Sequence, residues 1–125
     1  MSCEIGHVYV IYTTITKPPK DKITICVCAA NSYFLWINSL PRVHGVGQME
    51  LQAADHPAAL NKDCFLDCSK ITVFSTQEIS RAEHRGQISH DLAERIIEFL
   101  EKHPPKTLPE KHRALIADNL RGLLK

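Results

Sequence analysis

The stretch Ile5-Gly-His-Val-Tyr-Val-Ile-Tyr-Thr-Thr-Ile15 sets the reading of the whole chain. His7, Tyr9, Ile11 and Thr13 alternate with Val8, Val10 and Tyr12, and β-branched and aromatic side chains dominate, so a first strand is predicted. Lys17-Pro-Pro-Lys-Asp-Lys22 then breaks the pattern, because two prolines remove ladder donors and the charges prefer water; it reads as an exposed loop. Ile23 to Ala29 and Tyr33 to Asn38 form two more strand-like runs, joined by a turn at Ala30-Asn31-Ser32. Leu40 to Gly47 is a longer loop. Gln48 to Ala53, Cys64 to Asp67 and Ile71 to Ser75 complete five or six short strands, which suits a small barrel better than a βαβ sheet. The fold class expected is mainly β with C-terminal helices, built on a small SH3-like barrel.

After Ser75 the period becomes helical. Ser80-Arg-Ala-Glu83 fits a capping box for a short helix that Gly86 ends. Ser89 is placed to cap a second helix, in which Leu92, Ala93, Ile96, Ile97, Phe99 and Leu100 recur at helical spacing until Pro104-Pro105. Thr107-Leu-Pro-Glu110 repeats the capping chemistry before a last amphipathic helix carrying Leu115, Ile116, Leu120, Leu123 and Leu124. No repeat, low-complexity tract or long linker divides the chain, so residues 1–125 read as a single domain.

The composition is ordinary for a globular domain: 125 residues, 44% hydrophobic and 23% charged, with a formal net charge of +1. Residues 1–75 hold six Lys/Arg and six Asp/Glu, and residues 76–125 hold nine and eight. Neither half is an extended basic surface, so any phosphate site is local. No stretch is long and apolar enough for a membrane-spanning helix and no secretory pattern opens the chain, so the expected compartment is the cytoplasm. Five cysteines then read as reduced thiols. Cys26-x-Cys28 with Cys64-x3-Cys68 superficially offers a zinc set, but in apolar strands these residues read more simply as small buried hydrophobes; no metal or cofactor is expected. P-loop, dinucleotide, His-Glu-x-x-His and Gly-x-Ser-x-Gly patterns are absent from the sequence.

The order of elements carries a resemblance. Gly6-His-Val-Tyr9 opens a strand, a Pro/Lys loop follows, and the third strand ends in Ile37-Asn-Ser39. Asp63-Cys-Phe-Leu-Asp-Cys-Ser-Lys-Ile71 then precedes a Gly-Gln-Ile-Ser turn into a helix. From Gly6 to Leu100 this resembles the PemK/MazF-like toxin family of type II toxin-antitoxin systems. The resemblance implies an SH3-like barrel, a homodimer, and metal-independent endoribonuclease activity on single-stranded RNA that an antitoxin protein inhibits. The family's strand-leading Arg, which contacts the scissile phosphate, falls at Lys22, the following Pro at Ile23, the opening-motif Asp at His7, and the hydroxyl after the third strand at Ser39. Lys keeps the charge but lacks the planar fork of Arg.

Residue chemistry fills in the site. Metal-free RNA cleavage needs a base for the 2′-hydroxyl, an acid for the leaving oxygen and a cation over the phosphate. The candidate catalytic residues are Lys22 as cation, Ser39 as a positioning hydroxyl and His44 as proton carrier. Lys17, Lys20 and Tyr33 are the candidate RNA-binding residues. Competing readings stand beside these: a solvated lysine loop, a surface histidine at His44, and core packing for Phe34 and Trp36 rather than a base-stacking platform. At the level of function the competitors are a noncatalytic barrel that binds a protein or peptide, and a topoisomerase-inhibiting toxin acting through its C-terminal helix.

Overall fold

The computed structural model describes residues 3–39, 47–56, 60 and 62–124. Six strands form one antiparallel sheet: β1 (His7–Thr13), β2 (Lys20–Cys28), β3 (Tyr33–Asn38), β4 (Gln48–Leu51), β5 (Cys64–Val73) and β6 (Glu83–Gln87), in the order β4-β5-β3-β2-β1-β6. Among the described residues β4 and β6 are its edges, so the expected mainly β fold is present while closure into the expected small SH3-like barrel is not shown. Among the described residues there are also a short 3-10 helix at Ala53–Asp55 and three α-helices: α1 (Thr76–Ser80), α2 (His90–Lys102) and α3 (Glu110–Gly122).

Alternation divides the strands between two apolar clusters. Val8, Ile25, Val27, Leu35, Ile37, Met49, Leu51 and Leu66 point to one face. There they meet Leu92, Ile96 and Leu100 of α2 and Ile116 and Leu120 of α3. Tyr9, Ile11, Cys26, Phe34 and Trp36 point the other way, against Phe74 and Ile79 of α1. Burying each large aliphatic side chain contributes about 1.5–3 kcal/mol, so the helix-covered face carries most of the hydrophobic stabilisation.

Local chemistry fixes the helices. Ser89 caps α2 as the sequence led us to expect, its hydroxyl accepting from Leu92 N at 3.1 Å. The preceding helix sits earlier than expected: Ser75 and Glu78, not Ser80 and Glu83, form the capping box. Glu83–Gln87 is instead strand β6, because the edge of β1 offers ladder partners, pairing Tyr9 with His84 and Val10 with Glu83. The Thr107 hydroxyl caps nothing; it donates to Ser69 O, and Pro109 stands at the start of α3.

Two further corrections bear on the site. The two runs Cys64 to Asp67 and Ile71 to Ser75 are largely one strand, β5, interrupted by an irregularity: Trp36 pairs with Asp67 but Phe34 with Thr72. Gly47, at φ +76°, approaches this point closely, its carbonyl accepting from Cys68 N at 2.8 Å. A Cβ there would lie 2.9 Å from Ser69 Cβ, so only glycine fits. The predicted Lys17 to Lys22 loop is also shorter, since Lys20 and Lys22 already belong to β2 and pair with Thr13 and Ile11.

Candidate functional site

Register, which no local pattern encodes, assembles a polar patch on the face away from α2 and α3. Gln48, Asp67, Trp36, Thr24, Tyr9 and His84 are successive cross-strand partners and form one row across the sheet. Beside it Asn38 pairs with Phe65, and Lys22 reaches across from β2 to donate to Asn38 Oδ1 at 2.8 Å. Lys22 is 8% exposed. Its ammonium lies 5.0 Å from the centre of the Trp36 ring, and the Lys70 ammonium 5.1 Å from the same ring. The irregularity in β5 follows directly after Asp67, so it is what brings Lys70 to Trp36. Phe74 stacks on Trp36 with centroids 6.5 Å apart. The indole thus packs between an aromatic ring and two cations, an arrangement that favours positive charge over its face.

Several polar atoms of this patch are buried. Asp67 Oδ1 accepts from the Ser69 backbone N at 2.9 Å and from the Ser69 hydroxyl. Trp36 Nε1, Asn38 Nδ2 and Gln48 Nε2 are buried and have no hydrogen-bond partner among the described residues. A buried donor left unsatisfied costs about 1–3 kcal/mol. The patch also holds the buried Gln48 Oε1 and the Asp67 carboxylate, so donors, acceptors and charges of both signs lie in adjacent rows.

The sequence-derived candidates scatter around this patch. Lys22 is in it. Ser39 follows Asn38 directly and is exposed. Lys20 lies two residues before Lys22, and Lys17 lies in the exposed β1–β2 connection. Tyr33 is separated from the others: it packs with the helix-covered cluster, 5.4 Å from the His112 ring. His44 lies outside the described residues. The four thiols considered for zinc divide between the faces, Cys26 in one cluster and Cys64 and Cys68 in the other, with the thiols of Cys26 and Cys68 pushed up by burial.

Sequence reasoning missed Asn38, Gln48, Asp67 and Lys70 as a group, because only the β3–β5–β4 register joins them. It also missed a histidine pair at the β1–β6 edge. His7 Nδ1 and His84 Nε2 are 2.7 Å apart with rings stacked at 4.9 Å, Tyr9 lies 5.4 Å from His84, and the Glu4 carboxylate is 3.5 Å from His7 Nδ1.

Among the described residues the fold and patch therefore define a class: an antiparallel sheet covered by helices on one face and carrying a polar patch with two lysines, a carboxylate and an indole on the other. Searches against protein-family models, curated proteins and solved structures return no match for this chain.

Proposed function

We propose that this protein is a toxin-like endoribonuclease that cleaves single-stranded RNA without a metal ion, and that its sheet is a diverged SH3-like barrel of the PemK/MazF type. One observation carries the reading. The lysine at the position of the family's phosphate-contacting Arg is held at Asn38 and over Trp36, beside a second lysine and three buried N–H donors. In this reading the scissile phosphate accepts from Lys22, Lys70 and the Asn38 amide. The 2′-oxygen then forms a bond to phosphorus as the bond to the 5′-oxygen breaks, leaving a 2′,3′-cyclic phosphate and a 5′-hydroxyl. The two cations stabilise the charge that gathers on the phosphoryl oxygens. In this reading Ser39, exposed and next to Asn38, positions the strand, and His44 is the proposed proton carrier, taking the 2′-hydroxyl proton and delivering it to the departing 5′-oxygen. The natural partners in this reading are an antitoxin protein and a second copy of the chain.

The test is cleavage of a mixed-sequence single-stranded RNA in EDTA, with the fragment ends read by mass spectrometry. Wild-type protein should yield cyclic-phosphate ends. Lys22→Ala should lose at least about a hundredfold in rate with an unchanged circular-dichroism spectrum, the scale seen when one preorganised charge-stabilising group is removed. Intact RNA after incubation with folded wild-type protein overturns the enzyme and leaves the noncatalytic, partner-binding barrel, which the near-zero net charge favours.

A further inference from the structure

On the helix-covered face, at the start of α2, the packing leaves a cavity of about 190 Å³. Its walls are Ile25, Leu51, Leu60, Ile88 and Leu92, and the polar residues that line it are His56, Asp55, Gln87 and Ser89. An apolar cavity of about 150 Å³ already accommodates benzene, so this one has room for a single ring with a substituent or for two fused rings. His56 is 8% exposed, and its Nε2 has no hydrogen-bond partner among the described residues. A buried imidazole without a partner is costly, and a ligand donor would satisfy it.

We propose that this cavity binds a small neutral aromatic molecule, one ring or two fused rings bearing a single hydroxyl or ring N–H, which donates its proton to the His56 imidazole. The apolar walls exclude a charged ligand by desolvation, and the Asp55 carboxylate at the lining repels an anion. Burial lowers the basicity of His56; Asp55 opposes this, Arg95 adds to it and Asp91 opposes it, with burial dominant. At neutral pH the ring is neutral, and the tautomer protonated on Nδ1 accepts at Nε2. The site lies across the sheet from the Lys22 patch and does not depend on the ribonuclease reading.

Isothermal titration of the full chain with phenol, indole and toluene tests the assignment, alongside methyl NMR of the wild-type protein. Phenol and indole should bind one per chain, with phenol roughly tenfold tighter than toluene, the effect of about one net hydrogen bond. The Ile25, Leu51 and Ile88 methyl signals should shift in proportion to occupancy. His56→Leu should bring phenol and toluene to equal affinity while toluene still binds; His56→Phe, which keeps a ring but has no nitrogen acceptor, is the variant to use if the leucine form does not fold. Absence of saturable binding, methyl shifts elsewhere, or a phenol preference unchanged in the variant would overturn the proposal. Tighter binding of N-acetyl-tyrosinamide than of phenol would also overturn it, because the occupant would then be an aromatic side chain of a partner protein.

Discussion

The two faces of the central strands are built from alternate residues of the same short segments, yet they serve different ends. On β2 and β3, Ile23, Ile25, Val27, Leu35 and Ile37 turn toward α2 and α3 and pack with a continuous apolar cluster. Lys22, Thr24, Trp36 and Asn38 turn the other way, and there the apolar packing gives way to amides, cations and a carboxylate. A one-residue step along either strand exchanges one environment for the other. A small domain thus places a polar surface directly on the reverse of its core, and the strands that pack the core also hold the patch.

The sharpest way to break that contrast is to injure each face separately. Ile96→Ala removes a fully buried side chain between α2 and the sheet, and should cost about 2–5 kcal/mol in urea denaturation without altering the chemistry of the patch. The double variant Lys22→Met with Asn38→Leu removes both partners of a part-buried hydrogen bond at once, so its loss of stability should be smaller than that of Ile96→Ala. RNA cleavage should nevertheless fall at least about a hundredfold, as for the single lysine variant. A large loss of stability in the double variant would make the polar patch structural and erase the distinction between the faces.

Smaller effects sharpen the comparison at its margins. Ser75→Ala breaks the capping box of α1, a helix packed against the patch side of the sheet through Ile79, and should cost about 1 kcal/mol by thermal denaturation. His56 gives a pH signature confined to the helix-covered face. Its folded-state pKa is lowered by burial, so the unfolded chain takes up the proton first as pH falls. Stability from this residue is full above the ordinary imidazole pKa and declines as pH falls from there to the lowered folded value. His56→Leu should flatten that part of a stability-against-pH curve, measured by chemical denaturation between about pH 7.5 and 5, the range around the ordinary imidazole value.

Much of the fold was readable because it rests on short-range periodicity. β1, the β2–β3 turn with Ser32 N bonded to Ala29 O, and α2 with its Ser89 cap all follow from alternation, turn residues and helical spacing. The errors fall where a distant partner decides. Two Ser-x-x-Glu patterns lie within nine residues, Ser75 to Glu78 and Ser80 to Glu83, and only the open edge of β1 makes a strand of the second. Cys64 to Asp67 and Ile71 to Ser75 read as two runs, but the break between them is an irregularity within one strand. At the site, Lys22 was legible through its place in the order of elements, though it was expected to lie in an exposed loop. Asn38, Gln48, Asp67 and Lys70 were not legible, since their proximity is a product of register across four strands. His7 and His84 meet across 77 positions for the same reason.

Among the described residues β4 and β6 each have one unpaired side, and their composition matters beyond the fold. β4 has four residues, with Gln48 and Glu50 facing away from the core, and β6 is the five-residue Glu83-His-Arg-Gly-Gln87. Edges this short and this polar are poor templates for a foreign strand, because pairing would bury charged side chains while forming only a few ladder bonds. The chain therefore carries its own protection against edge-to-edge polymerisation. Replacing Glu83 and Arg85 with β-branched residues would turn that edge into a nucleus for aggregation.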